Sequence, residues 1–111
     1  MQLADRVRAT LAAAPSMREV PMFGGVSFMV NDKMVVSARS DGDLLVRADP
    51  KRASELVAFH GARPAKMGAG RAMGPGWIAV AEKAITTDER LSFWIAAALE
   101  YTVGQGHSRG E

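Results

Sequence analysis

Gly24-Gly25-Val26-Ser27-Phe28-Met29-Val30-Asn31-Asp32-Lys33-Met34-Val35-Val36-Ser37-Ala38-Arg39-Ser40-Asp41-Gly42-Asp43-Leu44-Leu45-Val46-Arg47-Ala48 is the stretch that decides the fold. Three runs rich in β-branched or bulky residues, 26–30, 34–38 and 44–48, alternate with turn signals at Gly24-Gly25, Asn31-Asp32 and Ser40-Asp41-Gly42-Asp43. The connections are too short to hold crossover helices, so neighbouring strands must run antiparallel. The stretch is a meander of three strands, or four if residues 18–22 pair with it.

On the N-terminal side, Leu3, Val7 and Leu11 recur at helical spacing, and Ala12, Ala13 and Ala14 suit a helix by propensity. A helix over 3–14 is expected, ended by Pro15. On the C-terminal side, Asp49-Pro50 opens a second helix over about 50–60, with Asp49 as cap and Pro50 at the first helical position. Gly61 suits its C-terminal cap. Residues 62–67 read as a strand that Pro64 confines to a sheet edge. Residues 68–76 hold four glycines and a proline and read as a loop, followed by a strand over 77–81 that pairs with the preceding one. Thr86 and Glu89 have capping-box spacing and start a helix over about 87–102. Its apolar stripe is Leu91, Trp94, Ile95, Ala98, Leu99 and Val103.

The expected architecture is a two-layer α+β domain: an antiparallel five-stranded sheet with helices on one face, in the order α-β(3)-α-β(2)-α. One domain spans 1–103, and residues 104–111 form a flexible tail without apolar content.

With 111 residues, 48% of them hydrophobic, the chain can bury a core. It has no cysteine, which excludes disulfide scaffolds and zinc–thiolate sites. The net charge is only +2: residues 1–75 are basic by four and residues 76–111 acidic by two. That is a mild dipole, not a polycation. No apolar run has the length of a signal-peptide core or a membrane span, so a cytoplasmic protein is expected.

No motif carries chemistry. The stretch 68–76 lacks the sixth-position glycine of a dinucleotide loop and the Gly-Lys-Ser/Thr of a phosphate loop, and it leads into a strand rather than a helix. The only histidines, His60 and His107, share no metal-ligand spacing with another ligand type, and no serine sits in a nucleophile elbow. No catalytic residue, metal or cofactor is assigned. The candidate interaction surface is the pair Met22-Phe23 with Gly24-Gly25, joined by the basic residues Arg63, Lys66 and Arg71 that flank the glycine-rich loop. Met29, Met34, Met67 and Met73 are placed along one side of the sheet as adaptable packing.

Taken in order, Leu3-Ala4-Asp5-Arg6-Val7-Arg8, Met22 to Val30, Leu44 to Asp49, Arg63-Pro64 through Met67-Gly68, and Met73-Gly74 before Gly76-Trp77 resemble the N-terminal domain of the TfoX/Sxy family of bacterial proteins. That family is associated with regulation of DNA-uptake competence. The likeness spans residues 3–103. It implies a two-layer α+β fold like that of type III secretion chaperones, with no agreed catalytic or ligand residues. It also implies a stand-alone copy, without the C-terminal domain of the full regulators.

The leading functional expectation is a non-enzymatic regulatory or adaptor domain working through protein contacts, with a protein partner or as a homodimer. One alternative is a weak nucleic-acid binder using Arg63, Lys66 and Arg71 with Arg39 or Arg47. The other is a small enzyme or ligand-binding protein with its site between the sheet and the Gly68–Gly76 loop.

Overall fold

The computed structural model describes residues 3–12, 17–22, 25–67, 71–72, 74 and 76–109. Helix α1 (Leu3–Thr10) precedes strands β1 (Met17–Met22), β2 (Gly25–Val30), β3 (Lys33–Arg39) and β4 (Leu44–Arg47). A 3₁₀ turn (Pro50–Arg52) leads into the single-turn helix α2 (Ala53–Leu56). Strand β5 (Ala62–Pro64), the small pair β6 (Lys66–Met67) and β7 (Arg71–Ala72), strand β8 (Trp77–Val80) and helix α3 (Asp88–Arg109) complete the chain. The main sheet runs β1-β2-β3-β4-β8-β5, and every pairing in it is antiparallel.

The sheet has six strands where five were expected. All six residues of β1 pair one-to-one with β2, from Met17 opposite Val30 to Met22 opposite Gly25. Pro21 is tolerated there because β1 is an edge strand, which leaves a missing donor without consequence on its outer side. The meander follows as read. Asn31 and Asp32 both take positive φ, 53° and 66°, as a two-residue hairpin of the primed type requires. After β4 the chain crosses to the far edge, lays down β5 with its Pro64, and returns as β8 between β5 and β4.

Register rows alternate between the two faces. Phe28, Val36, Val46 and Ile78 line up across four strands, and so do Val26, Ala38, Leu44 and Val80. Both rows face α1 and α3, whose Val7, Leu91, Trp94, Ile95 and Ala98 close the main core. The row between them points the other way: Ser27, Ser37, Leu45 and Ala79. It is buried as well, with Leu45, Ala79 and Ala65 forming a second cluster against Met34 and Trp77. The Ser27 hydroxyl donates to Ser37 Oγ at 3.1 Å, and Ser37 donates to the Val26 carbonyl at 3.3 Å, so this polar pair is satisfied where it is buried. Met34 therefore does pack beneath the sheet, and Met29 stands opposite it. Met73 lies outside the described residues.

The helices differ from the sequence reading at their ends. Asp49 caps as expected, accepting from the Lys51 amide at 2.9 Å, but α2 makes only one turn. Its only buried residue is Leu56, too little apolar surface to hold a longer helix down. The cap of α3 is Thr87 and not Thr86: the Arg90 amide donates to Thr87 Oγ1 at 3.2 Å and the Leu91 amide to the Thr87 carbonyl at 3.1 Å. Glu89 is thus the second residue of the helix, one short of capping-box spacing. The α3 backbone continues to Arg109 rather than ending near 102. Gly104 and Gly106 weaken that stretch by roughly 1 kcal/mol each relative to alanine, but no proline forbids it.

Candidate functional site

The residues proposed from sequence as one surface are split by the fold. Met22 and Gly25 end β1 and begin β2, while Arg63 lies on β5 at the opposite edge of the sheet. Five strand spacings separate β1 from β5, about 24 Å. Phe23 and Gly24 lie outside the described residues. Lys66 and Arg71 are brought near each other by the β6–β7 ladder, where Lys66 pairs with Ala72 and Met67 with Arg71.

Gly25 has a backbone task. A Cβ there would stand 2.0 Å from the Ala38 carbonyl oxygen and 2.7 Å from Arg39 Cα, so β2 and β3 approach as only glycine permits. Beside it opens a cleft of about 780 Å³ at this end of the sheet, bordered by Asp5, Arg39, Asp41, Gly42 and Glu82. Two of its four charged residues are engaged within the fold. Asp5 accepts from Arg8 Nη1 at 2.7 Å, and Asp41 accepts from the Asp43 amide at 2.9 Å. Arg8 also holds Glu19 through two hydrogen bonds of 2.6 and 2.8 Å, clamping α1 to β1. This fork raises the Arg8 pKa and holds the Glu19 carboxyl below the usual carboxylate range.

The basic residues do not form one face. Arg63 Nη2 donates to Asp43 Oδ2 at 2.6 Å, so its charge is paired. Arg47 lies between two rings, 5.0 Å from the centroids of both Trp77 and Tyr101.

Two features stand out, of which only the first was not anticipated in the sequence. The first is an exposed aromatic pair. Phe59, 44% exposed, stacks on Phe93, 37% exposed, with centroids 4.9 Å apart and planes at 23°. Trp94 meets both rings edge-on, at 5.9 and 5.2 Å. His60, Glu89 and Arg90 rim this shallow depression of about 290 Å³. The side chains of Glu89 and Arg90 are exposed and make no ion pair with the described residues. A signal for this patch did exist: Phe93 falls off the Leu91, Trp94, Ile95, Ala98 stripe and so had to sit on the polar side of its helix. Phe59 carried no such signal.

The second is an apolar pocket of about 360 Å³ where α2, the β5 edge and the end of the glycine-rich loop meet. Val57, Pro64, Gly74, Gly76, Trp77 and Ile78 line it, and Ser54 adds a hydroxyl. Among the described residues, no group of three His, Asp or Glu side chains is placed to hold a metal, and no helix is long and apolar enough to cross a membrane.

Comparison with known proteins gives one family and one fold. The family model described as the TfoX N-terminal domain matches residues 9–102. No curated protein matches the chain. The crystal structure of Deinococcus radiodurans protein DR2400, assigned to domain family DUF419, superposes with a TM-score of 0.72 at 20% identity, covering 96% of this chain and 82% of that one. At that identity the likeness concerns the fold.

Proposed function

The chain belongs to the TfoX N-terminal domain family, and on that premise we propose that it is a non-enzymatic regulatory or adaptor domain that works through protein contacts, with a second copy of itself as the partner. The observation that carries this reading is the Phe59–Phe93 stack, two large apolar rings left in solvent side by side. Its rim favours self-pairing. Glu89 and Arg90 are adjacent, opposite in sign and free of ion pairs with the described residues. A two-fold axis beside the aromatic pair sets each Glu89 against the other copy's Arg90. The family's association with competence regulation makes control of gene expression in the cytoplasm the natural setting.

Light scattering tests this reading. The wild type should form a dimer below about 1 mM, a threshold worth roughly 4 kcal/mol. Glu89→Arg or Arg90→Glu alone should weaken the dimer, and the double swap should restore it. A wild type that stays monomeric, or a dimer indifferent to all three variants, refutes the reading.

A second reading, a small-ligand protein, is favoured by the apolar pocket beside the glycine-rich loop, which has the size and lining of a ligand site. Val57→Trp should fill that pocket and abolish uptake of an apolar fluorescent probe if the pocket is the site. A nucleic-acid role has less support, because Arg63 is paired with Asp43 and Arg47 is held between rings.

A further inference from the structure

At the end of the sheet opposite Gly25, β3 begins at Lys33, β4 ends at Arg47 and β8 begins at Trp77. Tyr101 and Thr102 of α3 reach the same place. Arg47 joins these elements. Its guanidinium lies 5.0 Å from the centroids of Trp77 and Tyr101, and Nη2 reaches Tyr101 Oη at 3.4 Å. Strand and helix are thereby tied, and the two rings are fixed in position. Next to them lies a depression of about 260 Å³ lined by Lys33, Met34, Arg47, Trp77, Tyr101 and Thr102.

Three properties of this depression select a ligand. Its walls are aromatic and thioether surface, which favours a flat ring. No carboxylate lines it among the described residues. And Lys33 makes no ion pair with the described residues, while Asp32 beside it in sequence pairs with Arg18 at 3.0 Å. The volume suits a single substituted ring, given that an apolar cavity of about 150 Å³ accepts benzene.

We propose that this depression is a binding site for a small aromatic carboxylate, with the ring against Trp77 and Met34 and the carboxylate on the Lys33 ammonium. The site is separate from the aromatic patch, with which it shares no lining residue. Its specificity comes from requiring both parts: ring burial alone leaves Lys33 unmatched, and an anion alone gains only an exposed ion pair.

Benzoate is the probe, and the chain's two tryptophans provide the readout. Trp77 lines the site, whereas Trp94 is in the main core. Titration followed by NMR should shift the Trp77 indole resonance saturably and leave that of Trp94 in place. Acetate (charge without ring) should bind at least about tenfold more weakly, a 1.4 kcal/mol difference, and benzyl alcohol (ring without charge) about threefold to fivefold more weakly. Lys33→Met should lose about threefold to fivefold in benzoate affinity, the worth of an exposed ion pair, and Lys33→Arg should retain most of it. Both are single substitutions at a partly exposed position, so the thermal melt should stay close to wild type. Benzoate without effect on Trp77, equal binding of acetate, or undiminished binding by Lys33→Met overturns the proposal.

Discussion

Replacing Gly25 by alanine should damage this fold through contact with the backbone of the neighbouring strand. Gly25 does not adopt a positive φ, so the substitution imposes no conformational strain of its own and the effect is purely steric. The new Cβ would lie 2.0 Å from the Ala38 oxygen, 2.7 Å from Arg39 Cα and 2.9 Å from the Ala38 carbonyl carbon. These are backbone atoms of the paired strand and cannot rotate away. Relief requires β2 and β3 to separate by more than 1 Å, on the order of the whole range that a ladder hydrogen bond allows. Overpacking costs about 1–3 kcal/mol and the lost hydrogen bond about 1 kcal/mol. The stiffer unfolded chain returns about 0.4–1 kcal/mol. The net loss is about 1–3.6 kcal/mol. At an unfolding entropy of about 2.1 cal/mol/K per residue, that lowers Tm by roughly 4–15 °C. Calorimetry and urea titration measure it. Gly42→Ala is the control. There the near atoms are the Glu82 carboxylate, the far end of a flexible side chain, and only the positive φ of 95° opposes alanine, at about 1–2 kcal/mol. A Gly25→Ala protein within about 0.5 kcal/mol of wild type would refute the claim that close strand approach explains this glycine.

Two further outcomes follow from the termini of α1 and α3. Thr87→Ala should cost about 1 kcal/mol in urea titration and Thr86→Ala less than about 0.5 kcal/mol, because only Thr87 caps α3; the reverse order would restore the capping box read from sequence. Glu19 is more acidic folded than unfolded, so its pairing with Arg8 stabilises the protein above the ordinary carboxylate range, and that contribution disappears as pH falls through the folded value. The Tm difference between wild type and Glu19→Gln should be largest at neutral pH and low salt and should vanish in acid; a difference independent of pH would show that the pair contributes no linkage.

The meander was legible because its information is local. The runs at 26–30, 34–38 and 44–48 carry their own period, and Asn31-Asp32 takes the positive φ its hairpin needs. Pro64 announced an edge, and β5 is one. The status of residues 18–22 was not legible, because charges and a proline in a strand are acceptable only at an edge, and only the finished sheet has edges. The cap was misplaced by one residue because Thr86 and Thr87 are chemically alike, and the choice between them depends on where α3 docks. The two halves of the proposed surface were parted for a similar reason. Met22 and Gly25, which pair with each other, share no contact with Arg63 that spacing can reveal, and the order in which strands add to the sheet set β1 and β5 at opposite edges.

From the amino-acid order alone came the fold class, the antiparallel pairing and the family likeness, since each rests on short-range periodicity, turn chemistry or motif order. Tertiary structure decided what meets what. Asp43 neutralises Arg63 across 20 residues of chain, and Arg47 meets Tyr101 across 54. Phe59 finds Phe93 from a turn that had no period to betray it. Side chains so far apart in sequence are brought together by sheet order and helix docking, and those are set by burial of the whole core rather than by any local signal.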